Sequence, residues 1–296
     1  MAEFRYDTRG SWFKGNCHLH STASDGGKTP AELAQMYATQ GYDFLCRTDH
    51  WVFSNVCQES GAYPLLWLDG VELNGRDYAG SSYHVVCLGT FEGLSRELSF
   101  VAALEAARAQ GGLLILAHPL WMGNTLEDAL RWGFDGVEIY NHVCHWLNGK
   151  GEGLVHWNAM LERSPGVLGL AVDDAHIRPE HPGWNGAWVM VNAPECSSEA
   201  LLAALKAGNF YSSRGPEFKS IDYDGDEVRI HSSPVQFVRL VGPADKGIRM
   251  GSFDGETRQV ATFKVPAEWP YAYLEIEDVR GRRAWTNSLW VEHKGA

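Results

Sequence analysis

FKGNCHLH, residues 13–20, is the stretch that decides how the chain is read. It is an apolar run that closes on two histidines, His18 and His20. Side chains on a strand alternate between faces with a period of two, so both imidazoles point to the same side where the strand ends. VLGLAVDDAH, residues 167–176, ends on the same spacing with Asp174 and His176. Two strand ends that each present a pair of donors to one side indicate a shared polar site.

Working outward, further short apolar runs follow: DFLCRTDH (43–50), LWLDGVEL (66–73), YHVVCLG (83–89), LLILAHP (113–119), GVEIYNH (136–142) and AWVMVNA (187–193). Between Phe13 and about Phe210 they alternate with helical patterns, which is the signature of a βα-repeating domain. Thr29-Pro30-Ala31-Glu32 supplies a capping box with Pro at the first helical position, and Gly41 closes that helix. Residues 97–110 and 198–207 carry further helical faces, ended by Gly111 and Gly208. Past Arg214-Gly215-Pro216 the helical signals stop. VRIH, VQFVRLVG, QVATFKV and YAYLEIEDV, separated by DGD, GPADKG and DGE turns, predict a small antiparallel β-domain at 217–296 after a first domain at 1–216.

The other strand-end positions extend the pattern. His50, Glu72 and His118 close their runs, His84 begins its own, and Asp25 lies in the loop after the first. A lone strand histidine is more often a hydrogen-bonded core residue than a ligand. Nine such groups converging without a cation would leave buried charges unpaired at several kcal/mol each, so the joint pattern favours metal. Imidazole and carboxylate donors without thiolate favour Zn, Mn or Fe over Ca or Mg.

The net charge of −12, from 37 acidic and 25 basic residues, works against a long contact with duplex nucleic acid but not against a small anion delivered to metals. MAEFRYDTRG has neither the basic nor the apolar region of a secretory leader, and no stretch approaches the ~20 apolar residues of a membrane span, so a cytoplasmic location is expected. Six scattered cysteines without a CxxC pair read as reduced, mostly buried thiols. Nothing in the sequence sets an oligomeric state.

His18-Leu19-His20, Ser24-Asp25-Gly26, Thr48-Asp49-His50, Gly70-Val71-Glu72, Ala117-His118-Pro119 and Asp174-Ala175-His176, in this order and spacing, resemble the motifs of the PHP (polymerase and histidinol phosphatase) superfamily. Asp173-Asp174-Ala175-His176, Val137-Glu138-Ile139-Tyr140-Asn141 and Arg283-Ala284-Trp285-Thr286-Asn287 further resemble its CehA/McbA-like metallohydrolase branch. The resemblance implies an α/β fold, a distorted (β/α)7 barrel, with two or three divalent metals. It implies His18, His20, Glu72 and Asp174 on the first metal, and Glu72, His84 and His118 on the second. Asp25, His50 and His176 would hold the third. Asp25, where some members carry histidine, and Arg47 before Thr48 are departures from the family pattern.

The function expected is hydrolysis of a small-molecule ester, a phosphate ester of a metabolite or nucleotide first, by a hydroxide bridging two metals. Glu72, His18, His20 and Asp174 carry it. A carboxylester, carbamate or amide hydrolase using the same metals is the alternative, and a non-catalytic metal-binding protein the second. Arg47 and His142 are candidates for substrate binding, against a salt-bridged arginine and a solvated loop histidine. His145 shares His142's position after its strand. Asp49 and Asp173 are candidates to orient ligands from behind. His156, His181, His231 and His293 fit no motif. Of the twelve tryptophans, Trp12, Trp51, Trp121, Trp184 and Trp188 are candidate pocket walls, although most Trp side chains belong to cores.

Overall fold

The computed structural model describes residues 2–53 and 61–292. The chain starts with β1 (Ala2–Phe4) and β2 (Ser11–Asn16), then α1 (Pro30–Ala38), β3 (Phe44–Arg47), β4 (Leu66–Arg76) and β5 (Ser82–Leu88). α2 (Phe100–Ala109), β6 (Leu113–Leu116), α3 (Pro119–Met122), α4 (Leu126–Arg131) and β7 (Gly136–Asn141) follow. Next come α5 (His142–Asn148), α6 (Leu154–Leu161), β8 (Leu168–Val172), β9 (Trp188–Ala193), α7 (Ser198–Ala207) and β10 (Phe210–Ser213). The rest is strand: β11 (Phe218–Tyr223), β12 (Glu227–Val235), β13 (Phe237–Val241), β14 (Gly247–Met250), β15 (Arg258–Lys264), β16 (Tyr273–Glu277), β17 (Arg283–Thr286) and β18 (Trp290–Glu292).

The local signals act as the sequence implies. Thr29 Oγ1 accepts the Glu32 amide at 3.3 Å while Glu32 Oε2 accepts the Thr29 amide at 2.9 Å, closing the capping box of α1. Leu33, Ala34 and Tyr37 turn its buried face onto Leu19, Leu45 and Trp67. Helices 97–110 and 198–207 correspond to α2 and α7, each capped by a serine.

Strands β2 to β8 stand in sequence order in one mixed sheet of thirteen strands. β2–β3–β4 and β6–β7–β8 are parallel, whereas β5 runs antiparallel to both β4 and β6. Strict βα alternation therefore fails between LWLDGVEL and YHVVCLG, which form a hairpin with Asn74 opposite His84. Just past β2 and β8, Leu19 and Ala175 form a parallel bridge that joins the two ends of this run.

The same sheet continues beyond β2 through β9 and β10 into β17, β16, β13 and β14, so half of the C-terminal strands extend it. β11, β12 and β15 make a separate three-stranded sheet. Their inner residues Phe218, Ile221, Val228 and Ile230 share a core with Tyr6 and Tyr211. Asn287 fastens the tail, accepting the Gly169 amide at 2.9 Å and donating to the Gly208 and Phe210 carbonyls at 3.1 Å each. Cys17, Cys46, Cys87 and Cys144 are free and buried, Cys196 is free and exposed, and Cys57 lies outside the described residues. No helix among the described residues is long and apolar enough to cross a membrane.

Candidate metal centre

The strand ends and the loops behind them bring nine side chains together. Glu72, at 1 % exposure, is the hub. Its Oε2 lies 3.2 Å from His18 Nε2, His20 Nε2 and His50 Nδ1, and its Oε1 lies 2.8 Å from His84 Nδ1 and 3.4 Å from His118 Nε2. Asp174 Oδ1 lies 3.2 Å from His20 Nε2 and 3.4 Å from His18 Nε2. Asp25 reaches His176 Nε2 at 3.3 Å and His20 Nδ1 at 3.6 Å.

Local backbone explains how each arrives. His84 sits near the start of β5, and only because β5 is antiparallel does that start lie beside the end of β4. Asp25 folds back because Gly26 packs on the His20 carbonyl, where a Cβ would come within 2.1 Å of the oxygen. His118 and Asp174 hold left-handed φ values of 27° and 56°, at which the chain leaves its strand direction and aims both side chains inward.

These donors form groups whose ligand atoms lie within 4.8 Å of one another: His18, His20 and Asp174; His18, Glu72 and His118; His50, Glu72 and His84; and His20, Asp25, His50 and His176. The donor set fits divalent metal. His20 Nδ1 and His118 Nδ1 are buried without a hydrogen-bond partner, and His50 Nδ1, although 3.2 Å from Glu72 Oε2, is not aligned for a hydrogen bond, a costly state for imidazole nitrogen unless something else takes the lone pair.

Electrostatics point the same way. Burial opposes charge on His20, but Asp174 and Glu72 overcome it and push its pKa up to about 9; His18 is raised well above 6.5 against burial by Asp174, Glu72 and Glu138. Burial also disfavours the Glu72 carboxylate, yet the surrounding imidazoles, His18 and His84 foremost, hold its pKa well below 4.5. Burial drops His50 to about 4 despite Glu72. The cluster attracts positive charge that the protein itself supplies only by protonation.

Glu138 is a residue the sequence reading quoted without a role. Fully buried, it accepts from His18 Nδ1 at 2.6 Å, from the His118 amide at 2.7 Å and from Asn141 Nδ2 at 2.9 Å. The bond from His18 Nδ1–H leaves His18 Nε2 facing Glu72 and Asp174. Asn141 also donates to Asp174 Oδ2 at 3.2 Å, and the Cys144 thiol stands 3.9 Å from the same oxygen. GVEIYNH itself holds no donor of the cluster, and β7 breaks register between Glu138 and Tyr140, so spacing gave no signal for Glu138.

The residues expected to orient ligands do something different. Asp49 accepts from the Ser21 amide and hydroxyl and from Ser24 Oγ, each at 2.7 Å, which fixes the loop carrying Asp25. Asp173 accepts from Tyr37 Oη at 2.8 Å and from the amides of Asn185, Gly186 and Ala187 at 2.7–3.0 Å, tying down the segment before β9. Neither touches a ligand imidazole by hydrogen bond.

A cavity of about 200 Å³ opens over the cluster. Trp121, Val143, Cys144, Leu147, Arg178 and His181 line it beside the donors. His181 therefore stands at the site although it fits no motif, and Arg178 was missed because nothing in its neighbourhood repeats a pattern. Arg47 and His142 are not in the lining. Arg47 Nε is 2.9 Å from Asp49 Oδ2, the salt-bridge geometry, and His142 packs against Gly186 with Nδ1 3.3 Å from Tyr140 Oη. His145 is exposed beside the Tyr140 ring. Of the other tryptophans, Trp12 packs on Tyr211, Trp184 on Tyr37, and Trp188 under Lys14 Nζ, while Trp51 Nε1 donates to the Asn74 carbonyl at 3.1 Å. His156 is buried against the Asn124 carbonyl, His231 lies exposed on β12, and His293 is outside the described residues.

No protein-family model matches the chain, and no curated protein matches it in sequence. Solved structures do match its fold. A two-domain protein from Bacteroides vulgatus containing a predicted PHP-like metal-dependent phosphoesterase superposes with a TM-score of 0.56 at 15% identity, over 97% of this chain and 98% of that one. An amidohydrolase from Chromobacterium violaceum aligns at TM-score 0.45 and 16% identity over 66% of this chain and 96% of its own. A proposed metal-dependent phosphoesterase from Bifidobacterium adolescentis gives 0.47 and 14% over 68% and 98%.

Proposed function

We propose that the chain is a PHP-type metal-dependent hydrolase of the CehA/McbA-like kind that cleaves phosphate esters of small molecules, with β2 to β8 as its distorted (β/α)7 barrel. One observation carries the reading: a single buried carboxylate, Glu72, lies within 3.4 Å of five imidazoles from four separate segments of the chain. A bridging ligand needs that position. The fold shared with a PHP-like two-domain structure supports it.

In this reading His18, His20, Glu72 and Asp174 hold a first divalent ion, Glu72, His84 and His118 a second, and Asp25, His50 and His176 a third, with Zn, Mn or Fe as the candidates. Bound there, such ions supply a water-derived nucleophile at neutral pH and neutralise charge on the reacting group. The chain's own residues do the rest. Glu138 and Asn141 fix His18, His118 and Asp174 so that donor atoms need no reorganisation when the ions arrive. Trp121, Val143 and Leu147 give the cavity apolar lining beside the donors.

The partner expected is a small ester and not duplex nucleic acid, because a cavity of about 200 Å³ in an acidic protein has no room or field for a long polyanion. The apolar wall favours a second reading, carboxylester or carbamate hydrolysis. The test is metal-reconstituted protein assayed against phosphate and carboxylate esters of one alcohol, beside Glu72→Gln. The proposal expects phosphate-ester turnover that Glu72→Gln abolishes; turnover of the carboxylate ester alone, uninhibited by inorganic phosphate, would replace it with the second reading.

A further inference from the structure

Resting on the phosphoesterase reading, we infer that the substrate is a phosphate monoester of a flat apolar alcohol, its phosphate gripped by Arg178 and its leaving group packed on Trp121.

The cavity is divided chemically. Trp121 stands beside His84 and His118, whereas His181, with Arg178 bridged to it, stands by His176, ring centres 5.7 Å apart; Val143 and Leu147 add apolar surface to the lining. Arg178 is the one Lys or Arg among the lining residues. Its Nε is buried without a hydrogen bond. Among the described residues the carboxylate paired with that same Nε is Glu180, its Oε1 3.5 Å away without hydrogen-bond geometry and its side chain 61% exposed, an ion pair that solvent and salt keep weak. A guanidinium so placed retains N–H groups for a forked contact with phosphate oxygens.

The backbone holds Arg178 in that place. Arg178 and His181 exchange amide hydrogen bonds, 3.1 and 2.9 Å, in a tight isolated bridge. Ile177 just before it adopts φ 49°, a left-handed conformation that a β-branched residue takes only under constraint. Strain of this kind is retained where position matters.

The Trp121 side has no charge to offer. The Trp121 ring centre lies 5.3 Å from that of His118 and 6.4 Å from that of His84, directly beside the donors, yet the residue is 38% exposed. Leu147, which also lines the cavity, is exposed as well, so apolar surface reaches the cavity mouth. A sugar or glycerol leaving group would surrender water hydrogen bonds there without replacement, whereas an aromatic ring loses nothing and gains stacking. The volume of about 200 Å³ corresponds to about seven waters at ~30 Å³ each, room for a phosphoryl group with a small ring. Hydrolysis joins water's oxygen to phosphorus and breaks the bond from phosphorus to the ester oxygen. One water proton ends on the departing alkoxide, giving the free alcohol and inorganic phosphate.

Benzyl phosphate and glycerol phosphate both release a primary alcohol and so compare binding without a difference in leaving-group chemistry. KM for both, and inhibition by inorganic phosphate, would be measured on metal-loaded wild type, Arg178→Ala, Arg178→Lys, Trp121→Ala and Trp121→Phe. Phosphate binding to the same proteins would be followed by calorimetry. Arg178→Ala should raise both KM values and weaken phosphate binding roughly tenfold or more with a smaller change in kcat, and Arg178→Lys should restore part of it. Trp121→Ala should lower the preference for benzyl over glycerol phosphate by roughly tenfold, with Trp121→Phe intermediate. Wild type that cleaves phosphate esters while these variants change KM, preference and phosphate affinity less than twofold overturns the inference and leaves the phosphoesterase reading standing. Wild type that cleaves benzyl acetate and neither phosphate overturns that reading, and the inference with it.

Discussion

A carboxylate with almost no exposed surface needs partners for both oxygens, and Glu138 spends its pair on His18 and on the His118 amide and Asn141. Replacing it by Gln keeps the shape but puts an amide N–H against either His18 Nδ1–H or the donors on the other side. Glu138→Gln should therefore weaken metal affinity, read by chelator competition, by ~10–100-fold while the fold persists. Unchanged affinity would mean that His18 is oriented by other contacts. Residue-scale legibility followed spacing: donors two apart on a strand end were readable because geometry forces them together. Glu138 and Arg178 were not, since a buried orienting carboxylate and a rim arginine depend on what lies across the sheet. Asp49 and Asp173, adjacent to ligands in sequence, lie just past the ends of β3 and β8 and hold neighbouring backbone loops.

Elements were most legible where side chains cap their own backbone. Thr29 and Glu32 close α1 by two reciprocal bonds, and α1 presents Leu33 and Tyr37 to the core behind Leu19. Thr29→Ala should cost ~1 kcal/mol of stability in denaturant titration, with activity intact when measured well below the midpoint. A loss near zero would show that packing alone sets the start of this helix. Helices α3 to α6 lie between runs read only as strands; α3 and α4 span four and six residues, too short for a hydrophobic period to emerge from sequence. The β4–β5 hairpin was hidden for a different reason. Both runs are buried on both faces, and a continuous apolar strand reads alike in either direction.

At the scale of the molecule, we propose the division at 216/217 as one of sequence character, with the C-terminal strands packed as an integral part. β17 pairs with β10, Trp285 is fully buried, and Asn287 bonds to Gly169 on β8, to Gly208 at the end of α7 and to Phe210 on β10. Truncation after Pro216 should give insoluble or strongly destabilised protein; a soluble, active fragment would show an independent module. The whole site also links stability to pH. His20 has its pKa raised to about 9 in the metal-free protein, above the ordinary 6.5 of an unfolded chain. Its protonation therefore contributes stability that is fully present below about pH 6.5 and lost as pH rises through about 9. Chelated protein should lose melting temperature across that window, whereas metal-loaded protein should not, because ligation replaces the proton. Parallel curves for the two forms would exclude metal from the cluster.

The Leu19–Ala175 bridge joins strand ends that lie over 150 residues apart in the chain. Its flanking bonds run from the His20 amide to the Ala175 carbonyl and from the Asp174 amide to the His18 carbonyl, both 2.9 Å. Each of these amides belongs to a residue whose side chain is a donor in the cluster. Their exchange with deuterated solvent thus reports how often the two strand ends part, on a clock separate from global unfolding. Occupied by ions, the donors clamp both sides of the seam and these two amides should exchange at the slow rate of the β4 interior. Stripped of ions, they should quicken while amides within α7 keep their pace.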